Sequence, residues 1–162
     1  MSDLMARRAF DYYSTPEWCY KELPIQWELF ESAHEPCSGD GRIVRFLESK
    51  GINTTSSEIR EGRNYLDWTG YTDLILSNPP YNQAKEFIEH SLVRAHTVIM
   101  LLRLGFLSSQ KRYPFNTINP ITGLYTLSRR PHFINGKSDY SDYAWFCWDK
   151  TNRTSTGFNW VV

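Results

Sequence analysis

The chain has 162 residues, with 18 basic and 18 acidic side chains that cancel to a formal net charge of zero. That length suits one domain with a real hydrophobic core and is short for two, and the even balance gives no global argument for nucleic acid, so any basic face has to be local. Three scattered cysteines (Cys19, Cys37, Cys147) and four histidines (His34, His90, His96, His132) exclude a disulfide framework, a C-x-x-C site and an H-E-x-x-H site. Met1 to Phe10 lacks an apolar signal core and no stretch reaches bilayer length, so the expectation is a metal-free, soluble cytoplasmic protein.

An aromatic segment comes first, with Phe10, Tyr12, Tyr13, Trp18, Tyr20, Trp27 and Phe30. Within it, Ser14-Thr15-Pro16-Glu17 reads as a helix start, with Thr15 as cap and Pro16 at the first helical position. A short apolar approach leads to His34-Glu35-Pro36 and a glycine-containing turn. Arg42 to Lys50 reads as a helix, since Ile43, Phe46 and Leu47 share a face, and Gly51 stops it. Ile52 to Ile59 reads as a modest strand carrying Glu58 at its end. Asp73 to Ser77 is a compact buried strand running into Asn78-Pro79-Pro80-Tyr81.

The following helix carries one apolar stripe, Ala84, Phe87, Ile88, Leu92 and Ala95, with Lys85, Glu86 and Glu89 opposite. Thr97 to Leu102 is another buried strand. The stretch onward to Pro120 reads as broken structure. Gly123 to Leu127 and Tyr143 to Trp148 read as two late strands joined by a polar loop, Ser128 to Asp142, and a Thr-rich tail ends in Phe158 to Val162. The order predicts an α/β, Rossmann-like fold: a mostly parallel central sheet with a C-terminal antiparallel hairpin.

Asn78-Pro79-Pro80-Tyr81 is the motif that carries chemistry. Open α/β sheets bind ligands beyond the carboxyl ends of their strands, where this tetrapeptide falls. An aromatic amine is a poor nucleophile because its lone pair is delocalised into the ring. Two acceptors on its N–H groups localise that pair, and the Asn78 side chain and the Pro79 carbonyl can supply them. Pro79 and Pro80 fix the backbone beforehand, and Tyr81 offers a face for a stacked base. Upstream, Gly39 and Gly41 in Glu35-Pro36-Cys37-Ser38-Gly39-Asp40-Gly41 allow close backbone approach to a ligand before a helix opens. Glu58 follows Gly39 by 19 residues, the spacing at which an acid reaches ribose hydroxyls.

Taken together these segments resemble the amino-methyltransferase family, most closely the small phage-type N6-adenine DNA methyltransferases, from Tyr13 to Trp148. The resemblance implies a class I methyltransferase fold with S-adenosylmethionine as cofactor. It implies that Thr15 and Pro16 match an N-terminal cofactor motif and that Glu35, Pro36, Cys37, Gly39 and Gly41 match the loop around the cofactor's methionine part. By the same resemblance Glu58 holds the ribose, Ile59 makes an apolar contact, and Asn64 and Tyr65 hold the adenine. Asn64 stands where the family has Asp, so that contact lacks a charge. Asn78, Pro79, Pro80 and Tyr81 are then catalytic. A flipped adenine in double-stranded DNA would be methylated at N6 without a covalent intermediate.

One domain over 1–162 without a separate target-recognition domain is expected. Substrate reading then falls to two loops, through Lys111 and Arg112 and through Arg129, Arg130, His132, Phe133 and Lys137. A second copy or a recognition partner is left open. Two alternatives stand beside the main reading: an RNA amine methyltransferase, and a non-catalytic cofactor- or DNA-binding subunit. Methylation of a protein glutamine is disfavoured, because the resemblance would require a helical substrate domain ahead of the glycine motif.

Overall fold

The computed structural model describes residues 14–133 and 141–162. Its centre is a seven-stranded sheet in the order β2-β1-β3-β4-β6-β5-β7. The strands are β1 (Ser32–Glu35), β2 (Asn53–Ser56), β3 (Thr72–Ser77), β4 (Ala95–Arg103), β5 (Gly123–Leu127), β6 (Tyr143–Asp149) and β7 (Gly157–Val161). β1 to β4 pair parallel, β6 runs antiparallel to both β4 and β5, and β7 lies parallel to β5. The predicted class and the late hairpin are therefore present. Strand order reverses between β1 and β3, because β2 returns to one side of β1 while β3 lies on the other. Such a reversal opens a crevice at the carboxyl ends, here between Glu35 and Ser77.

Side-chain alternation divides the core into two layers. On one face, Leu74, Leu76, Ile99, Leu101, Trp145 and Cys147 meet Ile43 and Leu47 of helix α2 (Arg42–Ser49) and the aromatic segment around Tyr20, Trp27 and Phe30. On the other, Ile75, Val98, Met100, Ala144 and Phe146 meet Ala84, Phe87 and Ile88 of α3 (Ala84–Leu92). A strand covered on both faces has to be apolar almost throughout, which accounts for the unbroken T-V-I-M-L-L run of β4. The N-terminal segment is also tied down by Trp145, whose indole Nε1 donates to the Cys19 carbonyl at 2.7 Å.

Several expected boundaries move. Helix α1 (Trp18–Lys21) begins later than predicted, and Thr15 does not cap it: Glu17 holds the cap position without a side-chain bond. The second strand is shorter than Ile52 to Ile59, and Ile59–Glu61 forms a 3-10 turn capped by Glu58. Ala95, placed by periodicity on the α3 stripe, instead starts β4. The stretch expected to be broken contains a 3-10 turn (Leu104–Leu107) and a short helix, α4 (Tyr113–Ile118), with Pro114 in its first turn. The Thr-rich tail contributes β7, whose Val161 is fully buried. Among the described residues, no helix is long and apolar enough to cross a membrane.

Candidate active site

The crevice at the strand-order reversal is bounded by Thr15, Glu35, Cys37, Asp40 and Asn78. Its floor is a polar network. Glu35, the last residue of β1, is buried and accepts from Ser77 Oγ at 2.5 Å and from the Cys37 backbone N–H at 2.9 Å. Burial pushes the Glu35 carboxyl up to about 7, against the opposing pull of those two bonds, and the nearby Glu58 charge adds to the rise. Cys37 Sγ lies 2.9 Å from Ser77 Oγ and donates to the Asn78 carbonyl at 3.1 Å. Burial holds this thiol well above its ordinary range, so it stays a protonated donor. The turn after β1 and the start of Asn78-Pro79-Pro80-Tyr81 are thus locked together.

The turn itself uses the left-handed backbone at Gly39 (φ 53°) and Gly41 (φ 83°). At Gly41 the left-handed backbone is what favours glycine, since a Cβ would meet only the mobile end of Arg45. Asp40, between them, accepts from Ser14 Oγ at 2.5 Å and from Arg42 Nε at 2.8 Å. Its partial burial pulls upward, but the bonds from Ser14 and Arg42 outweigh this and hold the carboxyl below its usual range.

Thr15 and Asn78 are the pair that sequence reasoning kept apart. Thr15 is buried, and its hydroxyl accepts from Asn78 Nδ2 at 3.3 Å across a chain separation of 63 residues. With its amide donor engaged, Asn78 keeps Oδ1 buried and without a hydrogen-bond partner. A buried acceptor left open costs roughly 1–3 kcal/mol and calls for an explanation in terms of a ligand. Pro79 is buried and Pro80 half-buried behind it. Tyr81 packs against the core beside Tyr143, with ring centroids 5.9 Å apart, and the Arg103 guanidinium lies over its ring at 4.7 Å.

The remaining residues expected around a cofactor divide. Glu58 is buried just past β2, where Oε2 accepts from the Arg60 backbone at 2.6 Å, and Ile59 beside it is exposed. Ser38 N–H bonds to the Ser57 carbonyl at 3.0 Å, which brings the glycine turn next to that strand end. Pro16 is half-buried and Pro36 buried. Asn64 and Tyr65 do other work. Asn64 Oδ1 caps its own 3-10 turn through Leu66 N–H at 3.0 Å. Tyr65 is fully buried, donating or accepting with Ser91 at 2.7 Å and packing against His34, Trp68 and Phe87, so its ring does not line the crevice. His34 is stacked on Trp68 at 3.9 Å, and burial lowers it to about 4, which leaves it neutral.

Of the basic and aromatic loop residues, Phe133 is corrected: it is buried and edge-on to Tyr143 at 5.3 Å, a core residue and not a contact for nucleic acid. Arg129 is exposed over the Trp18 ring at 4.3 Å, Arg130 is paired with Asp142 at 3.1 Å, and His132 is exposed. Lys111 is exposed, while Arg112 is folded over Phe106 at 4.7 Å. Lys137 lies outside the described residues. Among the described residues, no group of three or more His, Cys, Asp or Glu is placed to hold a metal ion.

No protein-family model matches the chain, and no curated protein matches it in sequence. Solved structures do match in shape. A Pyrococcus horikoshii protein provisionally named an RNA methyltransferase superposes with a TM-score of 0.66 at 12% identity, over 87% of each chain. The 23S rRNA methyltransferase ErmE gives 0.59 at 15% identity, over 85% of this chain and 68% of its own. A Listeria monocytogenes protein provisionally named a class I S-adenosylmethionine-dependent methyltransferase gives 0.54 at 13%, over 98% of this chain and 62% of its own. The chain therefore has the Rossmann-like fold of class I methyltransferases.

Proposed function

We propose that this chain is an S-adenosylmethionine-dependent methyltransferase acting on an exocyclic amine, with N6 of adenine in DNA as its target. The observation that carries the reading is Asn78 Oδ1, a buried acceptor without a partner on a residue that lines the crevice. Two features of the crevice suit this cofactor: two carboxyl groups border it, and the Gly39-Gly41 backbone allows close approach.

S-adenosylmethionine, when bound, supplies an electrophilic methyl group on a sulfonium sulfur. Asn78 Oδ1 and the Pro79 carbonyl accept the two N–H bonds of the amine, which localises the nitrogen lone pair and carries the positive charge growing on nitrogen. Thr15 fixes the amide orientation by taking the Nδ2 donor, so that Oδ1 is the group presented. Glu35 and Cys37, linked through Ser77, hold the Asn78 backbone in place. The proton released from nitrogen goes to solvent, and no side chain is assigned to take it. Tyr81 serves as the stacking platform for the base.

RNA is the second reading, supported by the fold's likeness to a ribosomal-RNA methyltransferase. Radiolabelled methyl transfer to unmethylated duplex DNA and to RNA, with Asn78→Ala in parallel, separates the two. Label entering DNA and lost with Asn78→Ala is the expected result. Label in RNA alone moves the assignment to the second reading, and label in neither overturns both.

A further inference from the structure

We propose that Arg103 is a positioning residue that occupies the base platform in the free protein and transfers its guanidinium to a substrate phosphate when a base enters. This rests on Tyr81 being that platform. The register of β3 on β4 pairs Ser77 with Met100, so Arg103, three residues on, stands beside the level that Asn78 to Pro80 reach beyond β3. Its guanidinium carbon is 4.7 Å from the Tyr81 ring centroid, and its Nε donates to the Tyr143 hydroxyl at 3.4 Å. A planar base cannot stack on that face while the guanidinium covers it. Both groups offer a delocalised planar surface to the ring, so Arg103 keeps an aromatic face covered until a base replaces it.

Displacement has a natural destination. Arg103 is exposed at the carboxyl edge of the sheet, on the side where a substrate has to arrive. A nucleotide seated on Tyr81 brings its own phosphates to that rim, and a guanidinium pairs with a phosphate through charge-assisted hydrogen bonds. Arg103 therefore discriminates twice: against bare nucleosides, which have to displace it without compensation, and for nucleotides, which compensate it.

The test uses two fluorescent probes, 2-aminopurine deoxyriboside and its 3′,5′-bisphosphate, binding to the full chain. Wild-type protein is expected to favour the bisphosphate by roughly tenfold. Arg103→Ala is expected to bind the bare nucleoside several-fold more tightly than wild type and to lose the preference, whereas Arg103→Lys retains a preference. A purely structural role for Arg103 would weaken both probes alike. Equal weakening, or an unchanged preference in Arg103→Ala, overturns the proposal. Methyl transfer to DNA by the same wild-type preparation, with neither probe bound, overturns the Arg103 role alone. Absence of both transfer and probe binding overturns the parent reading.

Discussion

At Asn78 the two halves of one amide have separate tasks. Nδ2 is bound by Thr15, and Oδ1 is buried without a partner on a residue that lines the crevice. Asn78→Ala is expected to lower kcat by about 10²–10³ with little change in thermal stability, since losing the Nδ2–Thr15 bond is offset by removing a buried open acceptor. Steady-state kinetics beside a melting curve checks both. Thr15→Val is expected to lower kcat more modestly, about tenfold, by freeing the amide to rotate. Glu35 makes a pH prediction. Its carboxyl is raised from 4.5 to about 7 by burial, so the folded state binds the proton more tightly than the unfolded chain. Its contribution to stability is then fully present below about 4.5 and is lost as pH rises toward 7, up to roughly 3 kcal/mol. Melting temperatures from pH 4.5 to 7.5 should show wild type losing stability relative to Glu35→Gln as pH rises. Parallel curves would show that no such linkage operates.

Elements were legible where one force dominated. The doubly covered strands β3 and β4 announce themselves as unbroken apolar runs, and α3 as a stripe of 3.6-residue period, because burial alone sets those patterns. β7 was not legible: it sends Val161 inward and leaves Phe158 and Trp160 exposed, in a Thr-rich neighbourhood that reads as a tail. α4 is six residues long, too short for a periodic signal, although Pro114 at its start is a helix marker in hindsight. Thr15 looked like a cap because its hydroxyl and the following proline suit one. A bond to Asn78, 63 residues away, claims that hydroxyl, and no local pattern encodes such a contact. Tyr65 is buried against His34 and Phe87, and an aromatic beside a cofactor and an aromatic in the core have the same sequence signature. The aromatic N-terminal segment depends on Trp145, whose ring fills the core and whose indole holds the Cys19 carbonyl. Trp145→Ala is expected to cost about 3–5 kcal/mol and to release that segment, measurable by denaturant unfolding and by hydrogen exchange at Cys19 and Tyr20.

Across the whole molecule, charge cancels while the carboxyl ends of β4 and β5 carry Arg103, Arg129 and Arg130 on one edge of the sheet. Binding of a nucleic acid there should weaken with salt, and replacing Arg129 by Ala should reduce the slope of log affinity against log salt by about one for duplex DNA. The crevice lies where the strand order reverses, the polar network under it orients Asn78, and Asn78 keeps a buried acceptor open. Mass spectrometry of nucleosides from duplex DNA incubated with the protein and S-adenosylmethionine decides whether Asn78 presents an adenine N6 for methylation. N6-methyldeoxyadenosine is expected to rise with time and to be absent with Asn78→Ala. Methylation at a ring carbon, or N6-methyldeoxyadenosine formed equally well by Asn78→Ala, would contradict that role.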